Sequence, residues 1–267
     1  MSDIQQHQAT HATSGQAAPT QGQMSGDVLI TGASSGIGKQ LALDYANAGS
    51  TVIACGQSEE RLAALSQQND NIRTLAFDVT DLAATQCAFD ALSPLPKLII
   101  LNAGTCEYIE HGQIDSALFK RVFDVNLFGL LHCLEAMQDR FDDQTHLTFV
   151  GSTASYVPLP RAEAYGASKA ALSYLAQTLS IDLAPRGVTV TLVSPGFVKT
   201  PLTDKNDFPM PMIVTPEVAS EAIRTGIARK EKEVHFPKKF SLILKTISLL
   251  PLSIQQSVIR KMTGKAA

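Results

Sequence analysis

Short β-branched or apolar runs, separated by longer stretches of helical periodicity, constrain what this chain can fold into more tightly than any single motif. The runs are VLIT from Val28, TVIAC from Thr51, IRTLAF from Ile72, KLIIL from Lys97, HLTFVG from His146 and VTVTLV from Val188. Strands that alternate with helices bury both faces of a sheet, so the pattern predicts a doubly wound parallel sheet in a three-layer α/β/α arrangement. Between the first two runs, Ile37, Leu41, Tyr45 and Ala48 recur at three- and four-residue steps, giving one apolar helical face that ends at Gly49. A short helix over residues 83–92 is closed by Pro94 and Pro96, and long helices are predicted over 115–140 and 162–184, the latter stopped at Pro185 and Gly187. Thr215, Pro216 and Glu217 form a start signal for a further helix, because threonine caps and proline suits the first helical position. EVHFP, from Glu233, reads as the last strand.

No break in composition marks a second domain, so residues 27–237 are expected to form one catalytic-sized domain. Residues 1–26, rich in Gln, Ser, Thr, Ala, Gly and His, read as a disordered tail without a secretory pattern, and residues 238–267 as a C-terminal extension. With 45% hydrophobic residues the chain can bury a large core, while a net charge of −3 and the lack of a recurring basic stripe argue against a nucleic-acid partner. Cys55, Cys87, Cys106 and Cys133 stand far apart with no ligand-spaced histidines beside them, which suits reduced thiols in a cytoplasmic protein rather than a disulfide framework or a zinc site. His7 and His11 lie in the tail without further ligands, so no metal is expected.

The first run leads into TGASSGIG. Gly32, Gly36 and Gly38 lie between a strand and a helix, so amides at the helix N-terminus, with the hydroxyls of Ser34 and Ser35, can face a pyrophosphate unobstructed by Cβ atoms. A tight turn with glycine for packing is the plainer reading. A P-loop fails on spacing, since Gln40 rather than Ser or Thr follows Lys39. A dinucleotide fold usually ends its second strand on an acid for the ribose diol, or carries a base nearby for a 2′-phosphate. Here Gly56 and Gln57 occupy that place and Arg61 follows a helical turn on, which tilts the choice towards NADP(H) over NAD(H).

Beyond the fifth run the chain reads GSTASYVPLPRAEAYGASKAAL. Tyr165 and Lys169, four apart, share a helix face, where the ammonium favours the phenolate; a tyrosine titrates near pH ~10 and needs such help to exchange protons with an alcohol or carbonyl at neutral pH. Ser152, at the carboxyl end of a strand, can hydrogen-bond the same substrate oxygen. Each residue has an ordinary alternative as a cap, a rim tyrosine or a solvated charge. Ligands of open α/β sheets nevertheless bind at the carboxyl strand ends, where Ser152 and the glycine loop both fall. A hydrolase built on Ser152 and Lys169 lacks any nucleophile elbow around the serine.

These motifs, in this order, resemble the short-chain dehydrogenase/reductase family in its compact single-domain branch with a Rossmann fold, over about residues 27–229. The resemblance implies that TGASSGIG, including Ile37, holds the cofactor, that Asp78 and Val79 of DVT contact the adenine, and that Asn102, Ala103 and Gly104 lie beside it. It implies Asn126 of VNLFG as a structural and proton-relay residue, Ser152 as the orienting hydroxyl, Tyr165 as general acid/base, and Lys169 as the group that lowers the tyrosine pKa and binds the nicotinamide ribose. Pro195, Gly196, Val198 and Thr200 of PGFVKT would grip the nicotinamide amide. Two departures, the short proline-closed helix before NAG and Leu101 in place of a first asparagine, bear on the adenosine end. The implied activity is hydride transfer between a nicotinamide cofactor and an alcohol or ketone, with a non-catalytic NAD(P)-binding regulatory or scaffold protein as the alternative.

On the substrate side, Phe208, Met210, Met212 and Ile213 of the loop after Thr200 present an apolar, adaptable surface suited to a lipophilic alcohol or ketone, or serve only to pack the loop. KKFSLILKTISLLPLSIQQSVIRKM, from Lys238, is too short and interrupted to span a bilayer. Flanked by Lys238, Lys239, Arg260 and Lys261, it resembles an interfacial amphipathic element for an anionic membrane; packing over the pocket or against a partner subunit is the alternative. The family resemblance implies a homodimer or homotetramer paired through the two long helices after NAG.

Overall fold

The computed structural model describes residues 26–264, so the expectations for the first 25 residues, including His7 and His11, lie outside the described residues. Seven strands form one parallel sheet in the order β3-β2-β1-β4-β5-β6-β7. They are β1 Val28–Ile30, β2 Val52–Gly56, β3 Ile72–Ala76, β4 Leu98–Leu101, β5 His146–Val150, β6 Thr189–Pro195 and β7 Glu233–Phe236. Helices α1 Gly36–Asn47, α2 Glu59–Ser66, α3 Leu82–Asp90, α4 Ser116–Phe123, α5 Gly129–Met137, α6 Glu163–Asp182 and α7 Pro216–Ala228 make the crossovers, and α8 Lys238–Ser248 and α9 Leu252–Met262 follow the last strand.

Alternation along the strands sorts the core into two layers. Leu29, Ile53, Ile99, Leu147 and Phe149 face one side and meet Phe89 of α3, Cys133 of α5 and Leu172 of α6. Val28, Ile30, Val52, Ile100 and Val193 face the other, against Leu41 of α1, Leu62 of α2 and Ile223 of α7. Full burial of side chains such as Phe89 and Phe149 contributes about 1.5–3 kcal/mol each. A third cluster joins Phe240, Leu244 and Ile247 of α8 and Ile259 of α9 to Val157, with Leu159 and Phe197 packed against it. The C-terminal helices thus cover the loops at the carboxyl ends of β5 and β6.

The strand order reverses between β1 and β4, which are paired Val28 to Leu98 and Ile30 to Ile100. Their carboxyl ends flank the crevice where open α/β sheets take ligands. Over 115–140 the single expected helix is three pieces: α4, a π-helical segment Asp124–Phe128, and α5 ending in a 3-10 turn Gln138–Arg140. The widening centres on Asn126, a fully buried polar residue whose side chain bonds out of the helix. Single-turn π segments of this kind are a common device at functional sites.

Candidate active site

The glycine loop sits at the end of β1 with Gly32 at φ 66° and Gly36 at φ 54°, the left-handed region where a side chain is strained. A Cβ on Gly38 would lie 2.4 Å from the carbonyl oxygen of Gly32, so α1 can approach the loop only without one. Ser35 precedes α1 and makes no side-chain cap bond, and Gly36 and Ile37 line the cleft at the positive end of the helix dipole, while Gly38 lies buried against the loop behind them. Asn102 holds this geometry from the neighbouring strand. Its side-chain amide donates to the carbonyls of Thr31 (3.0 Å) and Gly32 (3.3 Å), while Thr31 Oγ1 accepts from the backbone N–H of Asn102 and Ala103.

The cleft above the loop has a volume of about 920 Å³ and reaches from Gln57, Arg61, Asp78 and Val79 at one end to Pro195, Gly196, Val198 and Thr200 at the other, passing Asn102, Ala103 and Gly104. Gln57 Nε2 donates to Asp78 Oδ2 at 2.7 Å, and Asp78 Oδ1 accepts from Thr80, so the carboxylate at this end is already engaged. Ser34, Ser58 and Arg61 also line it. An extended cradle with helix-start amides in the middle and a carboxyl-strand-end wall fits a dinucleotide, the group that the residues were expected to hold.

At the centre, Lys169 lies almost fully buried on α6 and donates through Nζ to the Val150 carbonyl at 2.9 Å. Burial lowers its pKa to about 8, so the amine is still an ammonium at neutral pH. The Tyr165 phenol, one turn earlier, is pushed up to about 12 by burial, with the Ser152 hydroxyl pulling it back. The Ser152 hydroxyl is the group that draws the phenol down against the larger effect of burial. Asn126 accepts through Oδ1 from Thr105 N–H at 2.7 Å and donates through Nδ2 to Thr105 O and to Ser168 Oγ, both at 3.0 Å. Gly104 joins the two groups: a Cβ there would lie 3.2 Å from Asn126 Oδ1 and 3.4 Å from Lys169 Nζ.

A second cavity of about 760 Å³ meets the first at Ser152 and Tyr165, which line both. Its walls are largely apolar: Tyr108, Phe197, Phe208, Met210, Phe240, Leu244 and Ile259. Phe208 and Met210 therefore stand where the loop was expected to face the pocket. Met212 and Ile213 do not; they are exposed, Met212 at a left-handed φ of 56° and Ile213 next to Val214, which bridges to Val198 and tucks inward. Arg161 closes the rim by pairing with both Glu110 and Asp207 while its guanidinium lies 5.4 Å over the Tyr108 ring. Cys106, Tyr108, Thr105 and Ser168 went unread as site residues in the sequence, since no local pattern points them at the site, whereas α8 and α9 take up the alternative of packing over the pocket.

The sequence model described as short chain dehydrogenase matches residues 27–209. An uncharacterized oxidoreductase of Myxococcus xanthus is 33% identical over 88% of this chain and 96% of its own length. The NADPH-dependent 1-acyldihydroxyacetone phosphate reductase of Schizosaccharomyces pombe is 35% identical over 67% of this chain and 62% of its own. A short-chain dehydrogenase from Sphingobium yanoikuyae, solved with NADPH, superposes with a TM-score of 0.70 at 28% identity, covering 79% of this chain and 87% of that one. With the order of elements, the glycine loop, and Tyr165 and Lys169 one turn apart on α6 already in place, these matches show that the chain belongs to the short-chain dehydrogenase/reductase family of oxidoreductases.

Proposed function

We propose that the protein is an NADP(H)-preferring oxidoreductase that interconverts a hydrophobic ketone and its alcohol, reduction being the working direction. The observation that carries this reading is the junction: Ser152 and Tyr165 stand where a mixed cleft fit for a dinucleotide opens into a more apolar cavity fit for a lipophilic substrate. When bound, the nicotinamide supplies the hydride. Gly36 and Ile37 would hold the pyrophosphate through backbone amides, with Gly32, Ser34, Ser35 and Gly38 forming the rest of the loop, and Pro195, Gly196, Val198 and Thr200 would hold the nicotinamide end. Asp78, Val79, Asn102, Ala103 and Gly104 would border the adenosine and ribose.

In reduction, Tyr165 donates its phenolic proton to the substrate oxygen while Ser152 donates a hydrogen bond to the same atom. A phenol held at about 12 is fully protonated at neutral pH, which suits a proton donor. The phenolate left behind is stabilised by the Lys169 ammonium, and Asn126 would steer a water that returns the proton through Lys169. The preference for NADP(H) is supported by Arg61, Ser34 and Ser58 at the adenosine end and by the absence of an acid at Gly56 and Gln57. The family's habit of pairing subunits supports a homodimer or homotetramer, working in the cytoplasm or at a membrane surface. Among the described residues no helix is long and apolar enough to cross a membrane.

The test follows NADPH absorbance with a panel of lipophilic ketones. Tyr165→Phe is expected to lower kcat by about a thousandfold or more, within the range of a lost general acid together with its hydrogen bond, while leaving NADPH affinity within a few-fold. Turnover by that variant at the parent rate overturns the mechanism.

A further inference from the structure

Residues 238–267 hold six of the chain's 22 Lys and Arg and none of its 25 Asp and Glu, so a segment of net +6 caps a remainder of net −9. Its inward faces are accounted for, since Phe240, Leu244 and Ile259 line the apolar cavity. Its outward faces set apolar side chains among cations and small polar groups. Leu242, Ile243 and Leu249 are 53%, 44% and 85% exposed, and at these spacings they share the outer side of α8 with Lys238 and Lys239. Past the turn Leu252 and Ile254 are 62% and 46% exposed at the start of α9, beside exposed Ser253, Gln256 and Ser257, and the last turn of α9 carries Arg260 and Lys261. The cavity wall runs out to Lys261, Met262, Thr263 and Gly264, all exposed, so the cavity opens beside this surface.

We propose that the outer faces of α8 and α9 dock the mouth of the substrate cavity onto an anionic lipid bilayer, and that the substrate is a long-chain amphiphilic ketone or alcohol drawn from that bilayer. Charge selects the occupant. Lys245 already pairs with Glu233, but an acid-free apolar surface edged by Lys238, Lys239, Arg260 and Lys261 on a chain that is otherwise acidic complements anionic headgroups, whereas a second copy packed face to face would bring these cations against themselves. Leucines and isoleucines flanked by cations are the composition of helices that lie in the interfacial plane. The substrate half of the proposal rests on the oxidoreductase reading; the docking half does not.

The test is flotation of the full chain with vesicles of phosphatidylcholine alone and of phosphatidylcholine with 30% phosphatidylglycerol. Truncation is unsuitable, because α8 and α9 also wall the cavity. Binding to the anionic vesicles is expected, weakening as salt rises, and falling about tenfold or more in Lys238→Glu/Lys239→Glu. Leu249→Glu/Leu252→Glu is expected to abolish it while circular dichroism and NADPH binding stay unchanged, since neither leucine lines a cavity. The same variant is expected to raise the apparent KM for a vesicle-borne long-chain ketone at least tenfold and to leave a soluble short-chain ketone unaffected. No flotation, flotation indifferent to lipid charge and to both variants, or a change in oligomeric state in their place overturns the docking. If the parent reduces neither ketone, the oxidoreductase reading fails and the flotation result still decides the docking.

Discussion

Lys169 is held where its charge is useful and its solvation is poor. Its pKa falls from 10.5 to about 8, so between those values the folded state binds fewer protons than the unfolded one. A lowered base destabilises the fold wherever both states are charged, below about pH 8, and the penalty fades as pH climbs from 8 towards 10.5. At neutral pH this burial costs roughly 3 kcal/mol. Lys169→Met is therefore expected to raise the melting temperature at pH 7 and to raise it less at pH 10, while abolishing most activity. Equal gains at both pH values would sink the burial argument. Arg61 carries the other residue-scale expectation: Arg61→Ala should lower kcat/KM about tenfold with NADPH and leave it nearly unchanged with NADH, for which a 2′-phosphate contact is irrelevant.

Among the elements, the π-helical segment Asp124–Phe128 shows how a polar residue is made to serve two others. Asn126 pairs with both backbone groups of Thr105, and that pairing fixes the loop that carries Gly104 over Lys169. Asn126→Ala would leave the half-buried N–H and C=O of Thr105 without this partner, so a loss of about 1–3 kcal/mol is expected in urea denaturation, with kcat falling more than NADPH affinity. The parallel sheet, the glycine loop and the spacing of Ser152, Tyr165 and Lys169 were legible in sequence because they depend on local pattern and on residue types that few other uses demand. The π segment was not: over residues 115–140 the apolar period of a helix persists through one extra residue per turn, and the partner that pulls Asn126 outward lies 21 residues away. Met212 and Ile213 were misplaced for a related reason. Their loop looks uniformly apolar, and nothing local shows that Val214 is the residue that bridges to Val198 and tucks inward.

At the scale of the whole molecule, the apolar cavity belongs to no single crossover unit. Tyr108 follows β4, Phe197 follows β6, Phe208 and Met210 come from the loop before α7, and Phe240 and Leu244 from α8. The rings of Phe197 and Phe240 lie 5.6 Å apart and Phe197 and Phe208 6.2 Å apart, so the wall is one aromatic chain across three segments. Leu244, only 1% exposed, packs on it from α8. Leu244→Ala is expected to cost about 2–5 kcal/mol by thermal or urea denaturation and to weaken KM for long-chain ketones several-fold more than for short ones. A uniform effect across chain lengths would show that the helix supports the fold without shaping the pocket. Sequence could show that residues 238–267 have an apolar side, but only packing shows that they have two, one turned to the cavity and one to the surroundings.

That α8 and α9 close the cavity also sets an order of events during synthesis. The sheet gains its last strand only when residue 236 has emerged, and the wall comes later still, at the far end of the chain. Until then Val157, Leu159 and Phe197 lack the side chains that cover them, so a chain folded only as far as β7 carries an apolar patch in place of a finished substrate cavity.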